Sequence, residues 1–560
     1  MSRLAEESNQ RDIPSSQPLK KVVFEPLPTT PLPDLSNDQA LPDEAEGWNL
    51  WAIDEIPTVA LPITKAEHAE NTAPSSRQAP ATGTESLVAP LRDLIKSSGL
   101  YAISSVTLPL ISLVLAPFLT HALSPTDYGI LTILNTLISL SAGITQLGLS
   151  SAFFRAYGYD YTSSADRRYV LGTVLILLCL VSLPTVIAAA ITAPFLAHLL
   201  FGQPSLGGFV VLATGVVLLQ NLSVPGLAWL RAESRALSYS LLSIGNLLIT
   251  LIANILLVGV LHLGLAGSLL ATGCGYASVI ICTLPIILLH AVLRMRADIV
   301  RNLLAFGIPI IFNFISYWEL QLADRYLLSI FSSLAETARY GVAYTLGSAI
   351  SIVVLGPFTL AWPAALFSIA KREDAAQIYK LVFRWFSLFL LFTAFGLSLA
   401  GTILLHWLFP VSYHSGADII PVVAVSLAFF GLYYVFGVGI SITRKTWLTP
   451  ILLAVAALVN VALNLVLIPH YGAMGAAAST LIAYVVLVAI NYIVNQRLYP
   501  VPFEIGIFLI ALLVGTALYI GSDILGRGFG TYGAWGISAC TLILYGGCLA
   551  LLGKLLTKNH

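Results

Sequence analysis

The chain has 560 residues, of which 57% are hydrophobic and 10% charged, and its mean hydropathy is +0.86. Because soluble domains carry about 25% charged residues, this composition excludes an ordinary soluble protein and predicts an integral membrane protein. The formal net charge of +0 averages two unequal regions, since residues 1–97 hold 8 of the 28 Lys and Arg but 15 of the 28 Asp and Glu. The overall charge balance therefore says nothing about partners; from the membrane composition we expect membrane lipids as neighbours, and we expect no nucleic-acid partner.

Residues 1–97 form a compositionally distinct segment with 12 of the 29 prolines. Such a segment cannot bury enough apolar surface to offset its chain entropy, so we predict a disordered, acidic cytoplasmic tail. It contains no apolar core of the length that a secretory signal needs. The five cysteines all lie in later apolar runs without a CxxC pair. We therefore expect no disulfide, no metal site and no cofactor.

Fourteen apolar segments follow the tail, each long enough for the ~20 residues that a membrane-spanning helix needs. We predict an all-α integral membrane protein with about 14 transmembrane helices. The approximate spans are 98–120, 128–151, 169–192, 207–229, 239–260, 265–290, 302–332, 341–367, 383–408, 418–441, 448–468, 472–495, 503–523 and 532–553.

An internal repeat organises these spans, because residues 264–272 (GLAGSLLAT) are matched by residues 472–480 (GAMGAAAST). Further pairs recur in the same order at offsets of 208 to 212, namely Tyr128 with Tyr340, His198 with His406, Arg235 with Lys445 and Asn254 with Asn464. Six spans are an even number, so both repeats enter the membrane from one side and are parallel. The predicted domains are the tail at 1–97, six-helix bundles at 98–292 and 300–497, and an additional helix pair at 502–554.

The loops between the spans predict the orientation. Seventeen Lys and Arg residues fall on one side of the predicted spans, whereas only Arg339 and Arg527 fall on the other. Cytoplasmic loops carry the excess of positive residues. We therefore expect both termini in the cytoplasm.

Several short motifs stand in order along the spans. LSPTDYG stands at 123–129, FGIP at 306–309, YGVAY at 340–344, NLVLIP at 464–469 and YGAMGAA at 471–477. Over about residues 95–500 the sequence resembles the polysaccharide (O-antigen/exopolysaccharide) flippases of the multidrug/oligosaccharidyl-lipid/polysaccharide transporter superfamily. The acidic tail is not part of the usual pattern of this family.

The resemblance implies two six-helix bundles in a V around a central cavity that opens alternately to the two sides. It implies a non-enzymatic flippase that moves a lipid-linked oligosaccharide of polyprenyl-pyrophosphate type across the bacterial inner membrane. Such export serves the biosynthesis of surface lipopolysaccharide or exopolysaccharide. A polysaccharide polymerase and glycosyltransferases of the same pathway are further candidate partners.

The seventh span carries the ionisable groups that lie at membrane depth, where a charge is costly and is a functional candidate. The candidates for contact with sugar hydroxyls or pyrophosphate are Glu319, Gln321, Asp324 and Arg325. On a regular helix Gln321 and Arg325 share a face, whereas Glu319 and Asp324 point in different directions and the adjacent Asp324 and Arg325 do not pair. The alternative is that these side chains bond helices to one another.

Arg155 and Arg301 are further candidates at the cytoplasmic ends of spans. A guanidinium suits pyrophosphate because its planar fork makes bidentate contacts, and tyrosines near Arg155 have rings that suit sugars. The alternative is an interfacial belt of aromatic residues with basic anchors.

Two other functions stay open. A cation-coupled drug or metabolite antiporter of the same superfamily is less favoured, because the first six spans contain no Asp or Glu at mid-membrane depth. A membrane enzyme is disfavoured because the outer loops are short. Histidines at outer loop ends, such as His406 and His414, allow proton sensing, but no two stand at the sequence spacing of metal ligands.

Overall fold

The computed structural model describes residues 113–555, except for the side chains of Thr531, Lys554 and Leu555. All described residues fall in one compact unit. They form helices and no β-strand, and twelve helical segments among them are long and apolar enough to cross a membrane. This confirms the predicted all-α, multi-pass membrane protein.

The first half of the described chain contains eight α-helices. Ala156–Asp160 and Ile255–Val260 are π-helical continuations of α3 and α7, and Pro204–Leu206 is a 3-10 turn. The helices are α1 (Leu113–Ala122), α2 (Pro125–Thr145), α3 (Leu149–Arg155), α4 (Ser164–Ile191), α5 (Ala193–Phe201), α6 (Gly207–Ala232), α7 (Ala236–Asn254) and α8 (Gly264–His290).

The second half and the C-terminal pair contain ten α-helices. Glu319–Ala323 and Ser351–Leu355 are π-helical, and Val411–Gly416 is a 3-10 segment. The helices are α9 (Ala297–Trp318), α10 (Asp324–Phe331), α11 (Leu334–Gly347), α12 (Gly356–Ile369), α13 (Ala375–Leu408), α14 (Ile419–Phe436), α15 (Val438–Ile442), α16 (Leu448–Leu498), α17 (Ile505–Gly526) and α18 (Thr531–Leu555).

The long helix α16 is two spans. A straight helix of its 51 residues would measure about 77 Å, whereas the hydrocarbon core of a bilayer is about 30 Å thick. Gly472 interrupts it with φ 54° and ψ −132°, at the predicted boundary between the spans 448–468 and 472–495. Because the predicted span 98–120 lies mostly outside the described residues, the total of fourteen stays a prediction.

The two nonamers of the repeat share two backbone features. Gly264 has φ +55° and Gly472 has φ +54°, a left-handed conformation that glycine adopts at little cost. A Cβ on Gly267 would lie 3.0 Å from the carbonyl oxygen of Leu257, and one on Gly475 would lie 2.4 Å from that of Leu467. The glycines therefore let the next helix pack closely on the preceding one.

The span formed by α2 and α3 contacts the second half at both of its ends. At the outer end, a Cβ on Gly129 would lie 2.0 Å from the carbonyl oxygen of Leu334. At the inner end, Leu147 and Gly148 have φ 53° and 63° and break the helix, and a Cβ on Gly307 would lie 2.1 Å from the oxygen of Leu147. Glycine backbone thus lies at both of these contacts between the halves.

Ion pairs connect residues that the loop analysis assigns to the same side. Arg296 contacts Asp166 at 2.5 Å. Arg384 on α13 contacts Glu504 at 2.5 Å and attaches the α17–α18 pair to the second half. On the other side, Arg339 Nε donates to the Ser412 carbonyl at 3.1 Å. These contacts agree with the predicted alternation of the spans, while the predicted domain boundaries and the cytoplasmic placement of the termini stay predictions.

Candidate functional site

A π-helical turn interrupts the seventh span where its polar residues lie. The helix α9 ends at Trp318, residues Glu319–Ala323 form the π turn, and α10 starts at Asp324. In a π turn the backbone bonds residues five apart, so Glu319 and Asp324 occupy successive turns of one face. The prediction that these two carboxyl groups point in different directions is wrong, because it assumed regular α-helical geometry.

Asp324 and Arg325 form a buried ion pair. Their residues are 1% and 7% exposed, and Arg325 Nη1 lies 3.5 Å from Asp324 Oδ1. The same Nη1 donates to the carbonyl oxygen of Gln321 at 2.7 Å. The prediction that adjacent residues do not pair is therefore wrong, because the long Arg325 side chain folds back along its own helix. The predicted common face of Gln321 and Arg325 agrees with this bond.

Two tyrosines of the YGVAY motif on α11 complete the surroundings of this pair. The Tyr340 hydroxyl donates to Asp324 Oδ2, and the Tyr344 hydroxyl donates to Gln321 Oε1 at 2.8 Å. The Arg325 guanidinium carbon lies 4.4 Å from the centre of the Tyr344 ring, within the range of a cation–π interaction. Protein groups therefore satisfy most of the polar atoms of Asp324 and Arg325.

A chain of buried polar side chains continues from Asp324 into α16. Thr480 lies within hydrogen-bonding reach of the Asp324 carboxylate. Asn460 Nδ2 donates to Thr480 Oγ1 at 3.4 Å, and Asn464 Nδ2 donates to Asn460 Oδ1 at 2.6 Å. The chain joins α10 to both arms of α16, as expected for amide side chains that bond helices in lipid.

Glu319 differs from its neighbours because its carboxyl group has no hydrogen-bond partner among the described residues. Both of its oxygens are buried without a hydrogen-bond partner among the described residues, and the same is true of Trp318 Nε1 and Asn313 Oδ1. Burying an unpaired polar group costs about 1–3 kcal/mol, and more if it is charged. Of the four candidates in this span, Glu319 therefore has the most unused capacity to bind a ligand.

Arg155 and Arg301 lie far from this cluster. Arg155 pairs with Asp160 at 3.5 Å, and its guanidinium lies 5.0 Å from the centre of the Phe306 ring. Arg301 is exposed on the first turns of α9. Eighteen residues separate Arg301 from Glu319, which corresponds to about 27 Å along a helix. The structure therefore separates the predicted site residues into a membrane-depth group and an interfacial group.

Sequence reasoning missed the side chains that hold the ion pair in place. Tyr340 and Tyr344 were noted only as part of a motif, although their i, i+4 spacing places them on one helix face. Thr480 and Tyr484, whose hydroxyl donates to the Leu320 carbonyl at 3.3 Å, lie more than 150 residues from their partners. No local pattern reports such contacts.

Comparison with known proteins identifies the family of this chain and proteins that share its fold. The chain matches the sequence profile of the polysaccharide biosynthesis protein family over residues 118–417, whereas no curated protein matches it. Its fold is similar to that of lipid II flippase MurJ in an inward closed conformation, at 14% identity and a TM-score of 0.64, covering 82% of this chain and 99% of that one.

Multidrug transporters share the fold as well. MATE multidrug transporter DinF-BH matches at 17% identity and a TM-score of 0.56, covering 76% of this chain and 98% of that one. The Vibrio cholerae MATE transporter VcmN matches at 13% identity and a TM-score of 0.54, covering 74% and 98%. The match to the family profile covers more than half of the chain. The chain therefore belongs to the polysaccharide biosynthesis protein family.

Proposed function

We propose that the chain is a flippase that moves a lipid-linked oligosaccharide of polyprenyl-pyrophosphate type from the cytoplasmic to the outer leaflet. Membership of the family and the fold that it shares with a lipid II flippase support this proposal. The observation that carries it is the unpaired Glu319 carboxylate in the seventh span. It lies on a helix that packs against both halves of the molecule.

The unpaired buried groups of the seventh span suit sugar hydroxyls. Glu319 and the Asn313 oxygen need donors, whereas the Trp318 N–H needs an acceptor. A metal cation or a drug ammonium would satisfy only the oxygens, and an anion only the N–H. A hydroxyl both donates and accepts, so neighbouring hydroxyls of an oligosaccharide satisfy all of them.

The interfacial arginines suit the pyrophosphate of the same substrate. A lipid pyrophosphate stays at headgroup depth, which is where Arg155 and Arg301 lie, and guanidinium groups bind such anions bidentately. The separation of about 27 Å between Arg301 and Glu319 leaves room for an oligosaccharide that extends from the pyrophosphate to the middle of the membrane. In this proposal Arg325, Asp324 and Gln321 position the sugar-binding segment and contribute polar surface to it.

Alternating access requires the two contacts of the α2–α3 span to open in turn. The contact of Gly129 with Leu334 closes the outer end, and that of Gly148 with Gly307 closes the inner end. Glycine backbone lets the helices approach closely at both contacts, and side chains such as the Tyr128–Tyr413 ring pair complete the outer one.

A cation-coupled drug or metabolite antiporter is the second candidate function. The fold of the multidrug transporters is compatible with it, and an unpaired buried acid also suits an organic cation. The buried acids Glu319 and Asp324 lie in the seventh span, whereas the described residues of the first half offer Asp127, Asp160, Asp166 and Glu233 only near helix ends.

We further propose the bacterial inner membrane as the location, with both termini in the cytoplasm. The excess of Lys and Arg in the loops of one side supports this orientation. A polysaccharide polymerase and glycosyltransferases of the pathway are the proposed partners.

Surface polysaccharide in cells tests the proposed function. We expect that Glu319→Gln lowers surface polymer at least about tenfold while a C-terminal tag still reports normal protein in the membrane. The matched control is Asp523→Asn, which removes an exposed outer acid that pairs with Arg527. Normal polymer in Glu319→Gln and Glu319→Ala cells would remove Glu319 from the site.

A further inference from the structure

Two histidines that are separate in the sequence lie against each other at the outer side. His406 belongs to the last turn of α13, and His414 belongs to the 3-10 segment Val411–Gly416 that leads to α14. Their ring centroids are 4.3 Å apart, with the ring planes tilted by 45°. We propose that His406 and His414 together bind a divalent transition-metal ion.

Hydrogen bonds orient each ring as a metal ligand. His406 Nδ1 lies 2.8 Å from the Thr402 carbonyl oxygen, and His414 Nε2 lies 3.0 Å from that of Phe409. A carbonyl only accepts, so each of these nitrogens carries the proton. The lone pairs are then on His406 Nε2 and His414 Nδ1. Metal-binding histidines nearly always use their other N–H in this way.

The spacing of the rings fits two ligands on one ion. With metal–nitrogen bonds of about 2.0–2.1 Å, two imidazoles that share an ion have ring centres about 4.5–5 Å apart. The observed 4.3 Å needs only a small rotation of the exposed His406. The described residues contain no group of three or more metal-binding side chains, so water fills the other positions. Imidazole nitrogen favours Cu²⁺, Ni²⁺ and Zn²⁺ over Mg²⁺.

The segment that carries His414 also closes the outer contact between the halves. Tyr413 is fully buried, and its ring meets Tyr128 of α2 edge to face with centroids 6.0 Å apart. Arg339 Nε holds the neighbouring Ser412 carbonyl at 3.1 Å. An ion that ties this segment to α13 therefore stabilises the outer-closed state. This consequence for transport rests on the proposed function, whereas the binding of metal does not.

The repeat supplies a matched control. His198 corresponds to His406 at an offset of 208, and Leu206 stands where a partner for it would be. His198 is exposed at the end of α5, as His406 is at the end of α13. His198→Ala therefore removes an equivalent outer histidine without touching the pair.

Calorimetric titration of the purified full chain with Ni²⁺, Zn²⁺ and Mg²⁺ tests the site. We expect one Ni²⁺ or Zn²⁺ per chain, little Mg²⁺ binding, and a loss of affinity above about tenfold in His406→Ala and His406→Gln, since even the loss of an outer-shell partner costs 10–100-fold. His198→Ala should bind like the wild type. Equal affinity in wild type and His406→Ala, or equal binding of Mg²⁺, would overturn the site.

Transport in proteoliposomes tests the consequence for gating. Zn²⁺ added at the outer face should slow transport by the wild type and His198→Ala and leave His406→Ala unaffected. If Zn²⁺ binds the pair but slows all three variants equally, the gating role is wrong while the site stands. If the protein transports no lipid-linked sugar, the proposed function fails, and the titration still decides the metal site.

Discussion

Arg325 stacks over the ring of Tyr344 at 4.4 Å, and Tyr344 at the same time donates its hydroxyl to Gln321 Oε1 at 2.8 Å. One side chain of α11 therefore fixes both the cation and the amide of the seventh span. This arrangement places the polar residues of two neighbouring spans in one rigid unit next to the unpaired Glu319.

Substitutions at Tyr344 separate its two contacts. Tyr344→Phe removes only the hydrogen bond and should lower stability by about 1 kcal/mol. Tyr344→Leu also removes the cation–π contact and should cost about 2 kcal/mol more. Thermal unfolding in detergent measures both losses of stability. The activity of each variant is measured alongside. Equal stability of the two variants would mean that the ring face contributes nothing.

The pair of Asp324 and Arg325 should behave as a unit. Arg325→Ala leaves a buried carboxylate beside Tyr340, and breaking a buried pair costs about 3–5 kcal/mol. We expect loss of surface polysaccharide with protein still in the membrane. In a double-mutant cycle of Asp324→Asn, Arg325→Leu and their combination, the double variant should recover stability that Arg325→Leu loses, without recovering export. Additive losses in the double variant would contradict the pairing.

The outer contact of the two halves can be tested through its glycine. A Cβ on Gly129 would lie 2.0 Å from the Leu334 carbonyl oxygen, so Gly129→Ala should prevent full outer closure and reduce transport at least about tenfold. Gly245→Ala on α7 is the control, since nothing lies within 4 Å of its Cβ position. In an Ala338→Cys background, accessibility of the new thiol, which is buried in the closed state, to a membrane-impermeant reagent from outside should rise only with Gly129→Ala. If accessibility is unchanged in Gly129→Ala, this glycine does not control closure of the outer end.

The attachment of the α17–α18 pair should depend on pH. Hydrogen bonds from Arg384 hold the pKa of Glu504 below its usual range, and Lys380 acts in the same direction. A lowered folded pKa gives stability that is complete above the unfolded value of about 4.3 and is lost as pH falls through the lowered value.

Glu504→Gln should already lose this stability at neutral pH. It leaves Arg384, which is 4% exposed, without its charged partner, at a cost of about 3 kcal/mol. Unfolding temperatures between pH 3 and 7 measure both effects. The acid-dependent loss should be absent in Glu504→Gln, and its persistence there would assign it to another group.

The sequence predicts the spans well because hydropathy and helix length are local properties. Even the break of α16 at Gly472 follows from the second nonamer of the repeat. The predicted residues of the seventh span are also the ones that the structure concentrates at membrane depth. The relative directions of Glu319 and Asp324 were mispredicted, because a π turn adds one residue to the helical repeat and the sequence carries no sign of it.

Contacts between distant segments explain the remaining differences. Tyr484 meets Leu320, 164 positions earlier, only after the chain has folded. The distinction between a satisfied Arg325 and an unsatisfied Glu319 likewise depends on neighbours from α11 and α16. No periodicity in the sequence encodes it.

Movement of a lipid-linked oligosaccharide between leaflets tests the central claim most directly. Purified full chain would be reconstituted in liposomes with a labelled polyprenyl-pyrophosphate oligosaccharide in one leaflet, and arrival in the other leaflet would be followed with an impermeant lectin or glycosidase. The account predicts protein-dependent transfer that falls at least about tenfold in Glu319→Gln and is retained in Asp523→Asn. Transfer that equals protein-free liposomes, together with uptake of an organic cation by the same vesicles, would contradict it.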